Sequence, residues 1–527
     1  MSPSFPLPRL IGRKGFQPVR PSFVAPASRA GLTPLFSRSL SPMVLSLAVL
    51  ILSSACTVGP EYNRPSAPVP AAYKEDSNWR PAQPSDTAIR GKWWEIFGDA
   101  SLNALEEQVN VSNQSLKAAE AQFLQARALI RLSRAGYYPT LTVSPSAARI
   151  RESGNEPFAG PVSAGVTEND FMIPFDAAYE PDVWGRVRRT VENARAGAQA
   201  SAADLETVRL SLHSELALDY LQARSLDAEI ALLSSTVSSY QRALELTESR
   251  YKGGVASQVD VAQAKTQLET TRAQAIDLQV QRAQLEHAIA ALVGKPASEF
   301  TLPVSPLTAS PPSVPVGLPS QLLERRPDIA AAERRMSAAN ANIGVARSAY
   351  FPAIGLNVAG GFNSLIITTL IQGPSSFWSV GAAVAETLFE GGQRRAATVQ
   401  ARAAYDQTVA SYRQTVLTAI QEVEDNLAAL RVLEQESATQ RDAVDAAEHS
   451  LALSSTRYRG GVTSYLEVTT AQSTALLDER VAVQIQGRRM TACVLLIKAL
   501  GGGWDSSSLR NVVSNSASGS ASAPGAP

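Results

Sequence analysis

Apolar positions along the chain change period in a set order, and that order occurs twice. Leu102, Leu105, Val109, Leu116, Ala119, Phe123 and Ala126 recur at intervals of three, four or seven. They form one face of a helix, which ends near Tyr137-Tyr138-Pro139. The period then becomes two: Leu141 and Val143 alternate with Thr142 and Ser144, and a Gly/Pro/Asn-containing loop runs from Ser153 to Asn169. Beyond it Phe171, Ile173, Phe175, Ala177 and Tyr179 alternate with Met172, Pro174, Asp176, Ala178 and Glu180. This predicts a β-hairpin with one apolar face and one face that carries acids. From about Arg188 to Arg250 no proline interrupts the chain, and Leu226, Ile230, Leu233, Val237, Tyr240 and Leu244 are spaced by fours and threes. Such a run is a rod of roughly 90 Å, longer than any ordinary globular domain would hold.

After Gly253-Gly254 the helical pattern returns through Leu268, Ala275, Leu278, Leu285, Ile289 and Leu292 to Gly294-Lys295-Pro296. The same plan follows again. Ile354, Leu356, Val358 and Phe362, then Trp378, Val380, Ala382 and Val384, mark a second and weaker hairpin. Val409, Tyr412, Val416, Ile420, Val423, Leu427 and Leu430 mark a second rod, which turns at Gly460-Gly461 and returns to Leu500-Gly501-Gly502-Gly503. The turn sequence Arg250-Tyr251-Lys252-Gly253-Gly254-Val255 recurs as Arg457-Tyr458-Arg459-Gly460-Gly461-Val462, 207 residues on. Gly185 and Gly392 keep that offset, whereas Tyr137-Tyr138-Pro139 and Tyr350-Phe351-Pro352 stand 213 apart. Glycine caps on two unrelated helices would not keep such an offset, so the chain is an internal duplication. The six-residue change marks a loop that is shorter in the second copy.

The fold class is therefore α+β. Residues 93–300 form the first repeat (helix, hairpin, long helix, tip turn, helix), 301–319 a proline-rich linker, 320–504 the second repeat, and 505–527 a Ser/Ala/Gly tail expected to be disordered. Hydrophobic residues make up 45% of the chain but aromatics only 6%, which suits closely packed helices. Lys+Arg and Asp+Glu balance at 48 each, so no bulk charge points to nucleic acid. His213, His287 and His449 are scattered without ligand spacing, and no phosphate loop is present. No catalytic residue, metal site or cofactor is expected.

The start carries targeting information. Arg13, Lys14, Arg20, Arg29 and Arg38 precede the apolar run 43–52, followed by Ser53-Ser54-Ala55 and Cys56. Residues 1–55 read as a secretory signal, too short in its apolar part to stay as a membrane span. Residues 56–92 read as an extended strap. Cys493, among Val494-Leu495-Leu496-Ile497, reads as a buried small apolar residue.

Several ordered motifs carry a resemblance. They are Gly59-Pro60-Glu61-Tyr62, Trp93-Trp94 with Phe97-Gly98-Asp99, Tyr179-Glu180-Pro181-Asp182-Val183-Trp184-Gly185-Arg186, Leu323-Glu324-Arg325-Arg326-Pro327-Asp328-Ile329, Phe389-Glu390-Gly391-Gly392, Glu422-Val423-Glu424-Asp425 and Leu500-Gly501-Gly502-Gly503-Trp504. Over residues 56–504 the chain resembles the outer-membrane efflux proteins of the TolC and OprM type, in their NodT-like lipoprotein branch. The resemblance implies a homotrimer in which four strands per chain build a twelve-stranded outer-membrane barrel above a periplasmic helical tunnel. It implies a passive exit duct for small molecules, working with a periplasmic adaptor and an inner-membrane transporter of the RND class. Small residues ending in Cys56 resemble a lipoprotein processing site, which would make Cys56 a palmitate-bearing anchor; Ser53 stands where such sites have leucine. An ordinary signal peptide with a fortuitous cysteine is the alternative.

By the same resemblance Gly253, Gly254, Val255, Gly460, Gly461 and Val462 would be the periplasmic tips that dock the adaptor. Leu466 falls at a constricting leucine position, Thr470 at a position that is aspartate in similar proteins, and Glu467 is a nearby acidic candidate; helix packing is the plain alternative for Leu466. Asp260 could equally be a helix-start residue. Two other functions remain open: a duct for type I protein secretion, and a periplasmic coiled-coil scaffold without a pore.

Overall fold

The computed structural model describes residues 57–75, 91–151, 153, 166–314 and 319–505. The expected signal peptide, Cys56 and the tail beyond Asp505 lie outside them. The first repeat consists of α1 (Ala100–Ser112), α2 (Gln114–Ala135), β1 (Thr140–Val143), β2 (Ser146–Arg151), β3 (Thr167–Tyr179), α3 (Arg186–Lys252) and α4 (Gln258–Leu292). The second, after a single helical turn at Leu322–Arg325, consists of α5 (Pro327–Ser348), β4 (Ala353–Ser364), β5 (Ser376–Ala385), α6 (Gln393–Arg459) and α7 (Tyr465–Ala499).

The duplication extends to element lengths. The rods α3 and α6 are both 67 residues, or about 100 Å. The returning helices α4 and α7 are both 35, and α2 and α5 both 22. The strands β1 and β2 together span the same positions as β4, so the length difference falls in the loop between the hairpin strands.

Two expected elements are interrupted. The single helix expected from Leu102 to Ala126 breaks at Asn113, an extended residue whose Oδ1 accepts from Leu116 N at 2.9 Å and whose Nδ2 donates to Leu292 O at 2.8 Å. One buried amide thus caps α2 and ties it to the end of α4. The first strand divides at Ser144-Pro145, where proline has no N–H for the ladder.

One sheet joins the repeats. It is an antiparallel meander in the order β1, β3, β4, β5, with β2 also on β3. Below it the core gathers Trp93, Trp94, Leu102, Val109, Leu216, Tyr220, Ile289, Ile329, Tyr412, Val423 and Ile497. The linker is not loose over 301–314: Leu302 and Val314 are buried, Ser305 N donates to Asp227 Oδ2 at 3.0 Å, and Leu307 N donates to Arg224 O at 3.0 Å. Cys493 is buried, donates to Pro312 O at 3.3 Å, and has its thiol pushed up to about 12 by burial. The strap runs along the second repeat, where Tyr62 donates to Glu333 at 2.9 Å, Arg64 to the Tyr412 hydroxyl at 3.0 Å, and Arg431 to Glu75 at 2.6 Å.

The core also holds a polar pair that periodicity could not show. His213 Nδ1 lies 2.6 Å from Glu106 Oε2, its Nε2 lies 3.1 Å from Asn110 Oδ1, and its ring stacks on Trp94 at 4.5 Å. Both side chains are almost fully buried. Burial, with Glu107 adding to it, pushes the Glu106 carboxyl up to about 9; burial and then Arg209 push His213 down to about 4. The hydrogen bonds are met when neutral His213 donates from Nε2 to Asn110 and protonated Glu106 donates to Nδ1. The folded pair then keeps one proton where the unfolded chain, above about pH 6.5, keeps none. Stability from this pair is therefore lost as pH rises from about 6.5 to about 9, by at most ~1.4 kcal/mol per pH unit. Glu106→Gln retains a donor to Nδ1 and should flatten the fall in thermal midpoint across that range; equal slopes in both proteins would mean that Glu106 is ionised at neutral pH.

Candidate functional site

The two ends of the rods carry the features expected to act. At one end the sheet has two unlike faces. The register pairs Val143 with Phe175, Ala177 with Val358, Tyr179 with Leu356, and Val358 with Val380, which places the apolar set of β1, β3, β4 and β5 on one side. Thr142, Asp176 and Ala359 share the other side. The apolar face is bare: Trp378 is 81% exposed, and Val380 and Val384 each 69%. Both sheet edges, β1/β2 and β5, are unpaired among the described residues. No helix among the described residues is long and apolar enough to cross a membrane.

The junction of sheet and rods is rigidly built. Asp182 accepts from Val187 N at 2.9 Å and Arg188 N at 2.8 Å, capping α3; Arg186 pairs with Glu180 at 2.7 Å. Trp184 Nε1 donates to Pro352 O at 2.7 Å and its ring stacks on Phe351 at 4.8 Å, so the first repeat is fastened to the second. The motif around Leu323 does similar work, with Arg326 bonded to Asp328 at 2.7 Å, to Glu422 at 2.6 Å and to Ala499 O at 3.1 Å.

At the far end lie the two glycine turns. In each the second glycine takes the left-handed conformation, φ +74° at Gly254 and +75° at Gly461. The next residue closes the turn, Val255 N to Arg250 O at 2.8 Å and Val462 N to Arg457 O at 3.0 Å. This is the Schellman end that needs glycine at that position. Val255 and Val462 stand out in solvent, 69% and 72% exposed. The turns are neighbours: Arg250 donates to Arg459 O at 3.1 Å and lies over the Tyr458 ring at 4.8 Å, which meets Tyr465 edge-on at 5.1 Å. The Arg-Tyr pair of the repeated motif was the sequence signal for this contact, but which copy would reach across was not readable from the chain.

The constriction candidates separate. Leu466 is 58% exposed and Thr470 stands one turn on along the same exposed stripe, its hydroxyl donating to Leu466 O at 2.9 Å. With Val259, Ala262 and Thr266 of α4 they line an open groove of about 430 Å³. Glu467 faces elsewhere: it pairs with Arg457 at 3.2 Å and accepts from Thr463. Asp260 forms a capping box with Ser257, at 2.9 and 3.1 Å. Among the described residues no three His, Cys, Asp or Glu side chains converge on a metal-sized site.

The two-faced sheet makes a direct prediction. Val380→Arg, on the apolar face, should destabilise the protein in a bilayer by ~2–4 kcal/mol and lower its amount in outer-membrane fractions. Ser379→Arg, one residue away on the opposite face, should leave that amount unchanged; equal losses would remove the distinction between the faces.

Comparison with known proteins agrees with this geometry. The family model described as outer membrane efflux protein matches residues 105–295 and 318–502. The chain is 33% identical over 469 residues to the probable efflux pump outer membrane protein TtgC of Pseudomonas putida, covering 88% of this chain and 96% of that one. It is 31% identical to the pyoverdine export outer membrane protein OpmQ of Pseudomonas aeruginosa, covering 88% and 98%. Among solved structures, the outer-membrane channel OprN matches with a TM-score of 0.79 at 31% identity, over 85% of this chain and 100% of that one. The CmeC channel of Campylobacter jejuni, 23% identical, shares the fold with a TM-score of 0.80 over 88% and 98%.

Proposed function

The chain belongs to the outer membrane efflux protein family, and from that premise we propose that three copies of it form the exit duct of a tripartite efflux pump. One observation carries the reading: a five-stranded sheet that crosses four times, β1 and β2 being the halves of one divided strand, with a bare apolar face and two open edges, seated on rods of about 100 Å. Hydrocarbon does not tolerate open edges, and four strands are too few to close a barrel. Three chains supply twelve. The polar strand face then lines the pore, and the rods carry the wall into the periplasm.

The lipid anchor fits beside the barrel. Thr57, the first described residue, lies against Gly185, and Val58 N donates to Trp184 O at 3.2 Å, at the junction of β3 and α3. A lipid carried by the preceding Cys56 would enter the bilayer next to the strands. At the other end the exposed turns at Gly253-Gly254-Val255 and Gly460-Gly461-Val462 dock a periplasmic adaptor, which links the duct to an inner-membrane transporter of the RND class. Leu466 and Thr470 form the constriction. Glu467 positions the α6–α7 turn through Arg457 rather than lining the hole, so the constriction is apolar and hydroxyl-bearing rather than acidic. The duct itself performs no chemistry. The relatives are named for exporting compounds as unlike as toluene and pyoverdine, which supports small molecules as cargo, with selection made upstream.

Deleting the gene should raise susceptibility to several unrelated small toxic compounds, and the wild-type chain should restore resistance. Val255→Asp with Val462→Asp should leave the amount of outer-membrane protein unchanged yet fail to restore resistance. Full resistance with both tips charged would remove the docking role, and unchanged susceptibility of the deletion strain would remove the efflux role.

A further inference from the structure

The charges of the sheet are sorted by side. β1 and β2 meet β3 in one unbroken register, Val143 opposite Phe175 and Ala147 opposite Phe171, so a side assigned at one residue holds along the whole strand. The face that carries Val143, Phe175, Val358 and Val380 therefore also carries Arg149, opposite Asn169, and Arg151, opposite Thr167. Both arginines are exposed, and among the described residues of the strands they are the only Lys, Arg, Asp or Glu on that face. The other face carries Glu168, Asp170 and Asp176, with no basic residue among those described. Asp170 is engaged there, accepting from Asn363 Nδ2 at 2.9 Å.

Position along the strands sets the level of the two arginines. The apolar run of β3 from Tyr179 to Phe171 measures about 27 Å along the strand, or about 21 Å across a bilayer at the usual barrel tilt, close to a full hydrocarbon band. Arg149 stands just past its end. Arg151 is one same-face position further, about 7 Å on. The rods leave from the other end, beyond Tyr179, so the arginines reach the headgroup layer of the outward leaflet. A strand end that met water on both sides would gain nothing by keeping its cations on one side and its acids on the other. A wall between a water-filled pore and anionic headgroups does gain, because each cation outside is drawn to the lipid surface. The outward leaflet of a bacterial outer membrane is largely glycolipid with phosphates on its sugars, and the arginine fork pairs with phosphate through two parallel N–H bonds.

We propose that Arg149 and Arg151 hold the phosphates of an outward-leaflet glycolipid, whose acyl chains lie on the apolar face along Phe171 and Ile173. Asn169, level with Arg149, adds a hydrogen-bonding side chain at the height of the sugars. Glu168 and Asp170, on the pore side of the same wall, keep their charge away from the headgroup. The site rests on the three-chain reading above, which turns this face to lipid.

The test is native mass spectrometry of the purified trimer, titrated in detergent with bis-phosphorylated lipid A, with the same glycolipid stripped of its phosphates, and with phosphatidylglycerol. The wild type should retain lipid A in preference to the other two. Arg149→Gln/Arg151→Gln should weaken lipid A binding by roughly 30-fold, the attraction of two arginines to an anionic surface, and leave binding of the stripped glycolipid unchanged. Arg149→Lys/Arg151→Lys keeps the charge and should keep most of the preference. Equal retention of phosphorylated and stripped glycolipid by the wild type would overturn the site, as would undiminished lipid A binding by the glutamine variant. Phosphatidylglycerol held as tightly as lipid A, or lipid A displaced by millimolar inorganic phosphate, would overturn the assignment to the glycolipid. Each of these results leaves the trimer, and with it the three-chain reading, in place. A chain that stays monomeric in outer membranes would sink both.

Discussion

A β-strand in hydrocarbon has nowhere to send its N–H and C=O groups except to another strand. That constraint governs the rest of this structure. Four strands satisfy one another through the middle of the sheet and leave the outer flanks of β1/β2 and β5 unmet. The same strands turn Trp378, Val380 and Val384 outward, where water would be a poor neighbour. Edge and face together make the isolated chain an incomplete object, and its helices repeat the message in a different chemistry. In the periplasm backbone groups are satisfied within each helix, and what remains open is apolar surface, on α2, α4 and α6 among others.

Much of the fold was legible because it is periodic. The alternation through Phe171–Tyr179 and Trp378–Val384 placed residues on the correct strand faces, since period two leaves no choice of side once one residue is assigned. The repeated Arg-Tyr-x-Gly-Gly-Val placed both tips, because a left-handed cap in that setting selects glycine. What escaped was set by single side chains acting over distance. The break at Asn113 depends on Leu292 O, 179 positions along the chain. The Glu106–His213 pair joins residues 107 apart, and the linker is held flat by Asp227 and Arg224 rather than by anything in its own proline-rich composition.

The two copies have also diverged where a local solution sufficed. Ser257 and Asp260 cap α4 reciprocally, whereas Ser464 makes no such bond and Glu467 turns instead to Arg457 and Thr463. Equivalent turns are thus held by different contacts while the backbone path is kept. Counting acids near the tip did not reveal that Glu467 braces a turn; its pairing with Arg457 and Thr463 does.

The matched lengths of the rods have an evolutionary corollary. Inserting one residue into α3 would advance everything beyond it by about 1.5 Å and swing it by about 100°, while α5 and α7 beside it stayed put. Side chains that now interlock would lose their opposite numbers over dozens of positions, and no single substitution could restore them. Gains and losses of sequence are therefore expected to be purged from the rods unless both copies change together, whereas the connection between hairpin strands, which already differs by several residues between the copies, is free to drift. Comparing indels among descendants of this lineage would read that mechanical coupling directly from genomes.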